Sequence, residues 1–267
     1  TMPIVNTGRF DINYVEEGEG FPVVLIHGLA GDHTAWLPQL AAWKDKYRVI
    51  AFDNPGSGNS SLVSEPTGTA DLADATLGLM AELGIEKAHI VGRSMGGAVA
   101  QHMALKAPER LQSLALAASF ARLDPVGAQV IKNLQQLLAW RKSWAEWAPH
   151  AVYLFVAPKF FNENEELMAK ITALVSGEDR DMVSYDHLAT ACIEHEALNQ
   201  LPNIQTPTLV MGGQYDPICS LTAQNWMMEK LPNAELEVFE NSSHFFLMEE
   251  AEKAMTTMES WFEKNAA

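Results

Sequence analysis

Two rhythms of apolar residues alternate along this chain. Residues 9–16 (RFDINYVE) switch between polar and apolar at almost every step, as a half-buried strand does, whereas 23–26 form a short, wholly apolar run. Residues 48–52 (RVIAF) and 88–91 (AHIV) also read as strands, and each leads into a glycine-bearing turn. Between them Leu72, Thr76, Leu79 and Leu83 return at helical spacing, and Gly84 then offers the left-handed conformation that ends a helix. Residues 113–118 (SLALAA), 206–211 (TPTLVM) and 235–239 (ELEVF) predict three more strands, and Met255, Met258 and Phe262 give a closing helix its apolar face. Strand and helix in turn predict the α/β class, with a mostly parallel sheet flanked by helices.

From about Arg122 to Gln200 this alternation stops. The stretch reads as helical and holds no convincing strand. Inserted between two sheet strands, it predicts a helical cap over the strands' C-terminal ends, with residues 1–121 and 201–267 as the core and 122–200 as the cap subdomain. Within it Trp140, Trp144 and Trp147 recur at helical spacing. They either roof a substrate or pack the cap helices together, and Phe155, Phe160 and Phe161 leave the same choice.

Composition narrows the chemistry. The chain has 267 residues, 48% apolar and 19% charged, enough for one large domain with a sizeable core. Its 34 acidic and 18 basic residues give a formal charge of −16, which repels phosphate backbones and anionic lipid, so neither nucleic acid nor membrane is expected as a partner. No apolar run approaches the ~18 residues needed to span a bilayer. No basic segment followed by an apolar stretch opens the chain. Cys192 and Cys219 are the only cysteines, which suits a reducing cytoplasm better than a disulfide framework, and no clustered Cys/His set suggests a metal.

The strongest local pattern is Gly92-Arg93-Ser94-Met95-Gly96, a G-x-S-x-G pentapeptide between a predicted strand and a predicted helix. In that context the serine stands at the apex of a sharp turn, and side chains at Gly92 and Gly96 would collide with neighbouring backbone. The turn is glycine-rich enough to suggest phosphate binding, but neither GxxxxGK[ST] nor GxGxxG spacing is present. Serine needs a base to remove its proton and a carboxylate to orient that base. With this elbow the chain order is Ser, acid, His. Asp216 follows the strand 206–211 and two glycines, and His244 follows the strand 235–239, so Ser94, Asp216 and His244 are the expected catalytic triad. Asp124 is the rival acid, but its place at the start of the cap suits a helix N-cap. His27 is expected to fix its loop by hydrogen bonding, and His33, His89, His102, His150, His187 and His195 to be structural or solvated.

Charge that develops on an attacked carbonyl oxygen needs preorganised donors. The backbone N–H of Met95, which opens a helix, and that of Leu29, in the loop His27-Gly28-Leu29-Ala30-Gly31, are the expected oxyanion hole. The loop 53–60 (DNPGSGNS) carries turn chemistry and no catalytic role.

Together, the HG pair at 27–28, the D-x-x-G-x-G-x-S stretch at 53–60, the GRSMGG elbow, GGQYD and SSH resemble the α/β-hydrolase superfamily from about Arg9 to Phe262. Size and a single helical cap resemble the 3-oxoadipate enol-lactonase and small carboxylesterase group, while the Ser-Met-Gly-Gly elbow is also similar to that of meta-cleavage-product C–C hydrolases. Haloalkane dehalogenases and epoxide hydrolases carry Asp at the elbow, where this chain has Ser94. The resemblance implies the α/β-hydrolase fold and a cofactor-free, metal-free serine esterase or lactonase acting on a small molecule. C–C bond hydrolysis, and a ligand-binding protein with little turnover, are the alternatives. Arg122, Lys132, Arg141 and Lys159 in the cap are candidates to pair with a substrate carboxylate, or are solvated.

Overall fold

A computed structural model describes residues 2–177 and 180–266. Its centre is an eight-stranded sheet of β1 (Ile4–Asn6), β2 (Asp11–Glu17), β3 (Phe21–Ile26), β4 (Tyr47–Phe52), β5 (Ala88–Arg93), β6 (Leu111–Ala117), β7 (Thr208–Gly213) and β8 (Ala234–Phe239). The strands lie in the order β1-β2-β4-β3-β5-β6-β7-β8. Only β2 runs against its neighbours, and β3 to β8 are parallel. β1 is absent from the sequence expectation, and the other seven strands fall close to where the apolar runs predict them.

Alternation along each strand divides its side chains between two helical layers. Val24, Ile26, Ile50, Phe52 and Ile90 point into one core with α2 (Thr69–Glu82) and α3 (Met95–Lys106). Val23, Leu25, Val49, Ala51 and Val91 point into the other, with α1 (Leu37–Trp43) and the closing helix. Helix α2 ends as expected, with Gly84 at a positive φ of 65°.

Between β6 and β7 the chain forms α4 (Pro125–Arg141), α5 (Trp144–Val152), α6 (Pro158–Glu163), α7 (Glu165–Gly177) and α8 (Met182–Glu194). After β7 come α9 (Leu221–Met228), α10 (Phe246–Glu249) and α11 (Ala251–Lys264). The inserted helices are tied to the sheet side by Ala197 N–H to Ala121 O (2.8 Å), Phe245 N–H to Phe155 O (2.8 Å) and Val63 N–H to Ser184 Oγ (2.9 Å). The three-tryptophan repeat does not lie on one helix. Lys142 turns left-handed at φ 51° and Ser143 caps α5 by accepting from Glu146 N–H, which leaves Trp140 on α4, largely exposed. Trp144 and Trp147 pack edge to face with each other (5.1 Å) and with Tyr185 (5.2 and 5.7 Å).

The strand order fixes where a site can form. From β3 the chain crosses to β4 on one side, then returns past β3 to β5 on the other. The loops leaving β3 and β5 therefore diverge around a crevice at the sheet's C-terminal edge, where open α/β sheets bind ligands.

Candidate active site

Ser94 sits in that crevice, between β5 and α3, with φ 53° and ψ −120°. This conformation is strained for a residue with a Cβ, and the neighbours enforce it. Ser94 N–H donates to Ala117 O on β6 (2.9 Å). Its carbonyl accepts from Gly97 N–H (2.9 Å) and Ser119 Oγ (2.8 Å). A Cβ on Gly92 would run into the Gly96 carbonyl, one on Gly96 into the Ile26 carbonyl, and one on Gly97 into Ser119. The expected collisions are therefore present, and glycine at these positions lets the elbow close down on β3 and β6.

Asp216 and His244 arrive from the ends of β7 and β8. His244 Nδ1 lies 2.7 Å from Asp216 Oδ2. The other carboxylate oxygen, Oδ1, accepts from the amides of Ile218 (2.8 Å) and Cys219 (2.9 Å). With Nδ1 donating to Asp216, Nε2 is the nitrogen left for a reacting partner. The two loops are stitched together: Tyr215 N–H donates to Ser242 O (3.0 Å), and Ser243 Oγ donates to Tyr215 O (3.0 Å).

Ser94 and His244 line one cavity of about 310 Å³, together with Gly28, Leu29, Arg93 and Phe245. Trp147 on α5 and Phe155 in the turn between α5 and α6 also face it, and the Phe155 ring lies 5.8 Å from that of His244. Gly28 brings the β3 loop against the elbow, since a Cβ there would lie 2.9 Å from Ser94 Cβ. Leu29 is thereby placed on the cavity wall, and Met95 follows Ser94 as the first residue of α3.

The remaining candidates are placed elsewhere. Asp124 caps α4, accepting from Gly127 N–H (2.7 Å) and from Ser220 Oγ. His27 fixes its loop as expected, with Nδ1 donating to Gly28 O (2.8 Å) and Nε2 accepting from Asn54 N–H (2.9 Å). His33 meets a carboxylate away from the triad, with Nδ1 2.7 Å from Asp53 Oδ1. Burial pushes the Asp53 pKa up, but hydrogen bonds from Asn59, His33 and Asn13 outweigh it and hold the carboxyl below its ordinary value. Arg122 pairs with Glu196 (3.5 Å) and Arg141 with Glu146 (3.2 Å), Lys132 and Lys159 are exposed, and none of the four lines the cavity.

Four residues near the site have no part in the sequence expectation. Among the described residues, Arg93 and Arg180 are the arginines that line the cavity. Cys219 lies against Asp216, His244 and the Ser94 side chain, and burial pushes its thiol pKa well up. Glu249 on α10 accepts from Ser243 N–H (2.8 Å) and Ala157 N–H (2.9 Å), clamping the His244 loop to the start of α6. Burial raises the Glu249 pKa, with those amides opposing. Two clusters carry metal-donor types, Asp216–Cys219–His244 and Asp32–His33–Asp53. In both, the acids are already engaged as acceptors for protein donors, Asp216 and Asp53 through both oxygens.

A strained serine at a strand–helix elbow, with an acid-oriented imidazole on the same cavity of a mostly parallel sheet, defines the α/β-hydrolase class. Residues 23–256 match the alpha/beta hydrolase family, and the chain belongs to it. It is similar to the 3-oxoadipate enol-lactonase 1 of Acinetobacter baylyi, 29% identical over 231 residues, covering 86% of this chain and 84% of that one. It is also 29% identical over 231 residues to a Caulobacter protein provisionally named carbamate hydrolase RutD, covering 84% of each. Among solved structures, a thermophilic esterase of Thermogutta terrifontis with malate bound superposes at a TM-score of 0.84, with 27% identity over 97% of this chain and 95% of that one. Among the described residues, no helix is long and apolar enough to cross a membrane.

Proposed function

We propose that the chain is a serine hydrolase that cleaves a small carboxylic ester or lactone through an acyl-enzyme. The observation that carries this reading is the opening of the strained Ser94 and the Asp216-oriented His244 onto one cavity. His244 Nε2 takes the Ser94 proton as Oγ attacks the carbonyl carbon. The N–H groups of Leu29 and Met95 receive the oxyanion, and the positive end of α3 favours it there. As the intermediate collapses, His244 returns the proton to the leaving oxygen. Water then attacks the acyl-enzyme carbonyl and gives its proton to His244, which returns it to Ser94 Oγ as the bond from carbon to Oγ breaks and the carboxylic acid leaves. Asp216 holds the imidazole in the useful tautomer and stabilises its charged form.

The named relatives support ester-type chemistry, since an enol-lactonase and an esterase stand among them. A volume of about 310 Å³ suits a small-molecule substrate. The formal charge of −16 favours neither a nucleic-acid nor an anionic-membrane partner, and the cysteine content suits a cytoplasmic setting. The test is steady-state hydrolysis of 4-nitrophenyl butyrate and of a γ-lactone by the wild type and Ser94→Ala. Turnover of at least one substrate should fall by about 10⁴ or more in the variant. Equal rates in the two proteins would overturn the reading.

A further inference from the structure

A cation stands beside the elbow serine with no acid among the described residues to hold it. Arg93 is the last residue of β5, one peptide link before Ser94. Its guanidinium carbon lies 4.3 Å from the centre of the Phe245 ring, and the side chain forms part of the cavity wall shared with Ser94 and His244. Nε is fully buried and has no hydrogen-bond partner among the described residues. The nearest acid in electrostatic effect is Asp216. That carboxylate is already engaged by His244 Nδ1 and the amides of Ile218 and Cys219. The contrast with the surface is clear, where Arg9, Arg48, Arg122 and Arg141 each pair with an acid.

Burying a charge without a partner is costly, and such groups are usually paired. Burial pushes the Arg93 guanidinium down to about 10, which leaves it charged at neutral pH. Its planar fork of N–H donors matches a carboxylate. Leu29, Leu134, Val152, Phe155 and Ile218 give the wall an apolar stretch that suits the hydrocarbon part of a short acid, while Asp32 and Arg180 are the other charged residues on it. A net charge of −16 works against anion binding in general, so any preference for anions must arise from a local cation.

Taking Ser94 as the nucleophile, as proposed above, we propose that Arg93 anchors a substrate carboxylate, so that the site prefers esters or lactones bearing an anionic group near the scissile carbonyl. Arg93 is a specificity residue in this assignment. It takes no proton and forms no bond to the reacting atoms.

Two matched pairs test it, one with the charge on the acyl side and one with it on the alcohol side. The first is mono-4-nitrophenyl succinate against 4-nitrophenyl butyrate. The second is 4-acetoxybenzoate against its methyl ester. In at least one pair the wild type should favour the anion in kcat/KM by about tenfold to a hundredfold, the range of a hydrogen bond to a buried charge. That ratio should collapse to one or below in Arg93→Met and recover in part in Arg93→Lys. If the variants do not fold, the wild type alone decides: succinate should inhibit neutral-ester hydrolysis competitively, and succinamide should not. A preference for the neutral member in both pairs, a ratio unchanged in Arg93→Met, or equal inhibition by succinate and succinamide would overturn the assignment. Hydrolysis of neutral esters with no anion preference would sink the anchor and leave the hydrolase reading standing. Failure to hydrolyse any of the four esters or the γ-lactone would sink the hydrolase reading itself.

Discussion

At the scale of single residues, the site depends on atoms that are missing. Gly28 carries no side chain because Ser94 Cβ would stand 2.9 Å from it and the Arg93 carbonyl 3.2 Å from it. Neither neighbour is the far end of a flexible side chain, so the elbow or the β3 loop must yield to an added methyl. Gly28→Ala is predicted to lower kcat about 10²-fold, because reacting groups displaced by an ångström lose near-attack geometry. The melting temperature should fall by only a few degrees, since one loop adjusts and the sheet does not. Ester kinetics and a thermal melt on the same preparation check this, and a wild-type kcat would show that the contact has no catalytic share. The same scale shows what can be read from types of residue alone. Ser94, Asp216 and His244 stand out because each follows an apolar strand at a glycine or polar turn. Arg93 is absent from that reading, although its signal is there: a charged residue ends a buried strand one position before the elbow serine. Cys219 and Glu249 were not legible, because the contacts that bring them into the site, Cys219 to Ser94 and Glu249 to Ala157, span long stretches of sequence.

At the scale of elements, burial made the sheet legible. Strands β3 to β7 are buried on both faces and read as short apolar runs, whereas β1 has three residues at the sheet's edge and leaves almost no pattern. The inserted helices were legible as helical but not as separate units. Trp140, Trp144 and Trp147 keep helical spacing across a break, because Lys142 and Ser143 interrupt the helix without disturbing the period. The signal for that break was present as Ser143 followed three residues later by Glu146, a capping pattern. The choice between roof and packing also dissolves at this scale. Trp147 packs on Trp144 and Tyr185 while lining the cavity, and its Nε1–H donates to Leu134 O at 3.1 Å. Element ends matter more than element interiors here. Ser94 opens α3, Asp216 and His244 follow β7 and β8, and Glu249 on α10 ties the His244 loop to the inserted helices.

At the scale of the whole molecule, buried neutral histidines couple stability to pH. His195 accepts or donates at Nδ1 to Thr69 Oγ1 (2.8 Å) and faces the ring of His102, and burial lowers its pKa to about 3. His89, packed between Phe21 and Phe262, is lowered to about 4 by burial. Both values lie below the ~6.5 of an unfolded histidine, so the unfolded chain binds more protons in between. Stability from these rings is therefore complete above that value and lost as pH falls through it toward 4 and 3. At pH 5 a single such ring costs about 2 kcal/mol relative to neutral pH. Relief of self-repulsion as the charge of −16 relaxes toward the pI near 4.8 acts in the opposite direction. The readout is accordingly a difference: His195→Gln should lose less stability between pH 7 and 5 than the wild type in urea unfolding. Equal losses would show that His195 does not titrate as placed. The central claim, an activated nucleophile at Ser94, is tested most directly by covalent labelling. The folded protein is incubated with a fluorophosphonate, its intact mass is measured and the modified peptide is sequenced, with Ser94→Ala as the control. A single adduct on Ser94, absent from the variant, is the predicted result. No adduct on the folded wild type, or an adduct on another residue that persists in Ser94→Ala, would contradict the account and favour a binding protein built on the hydrolase fold.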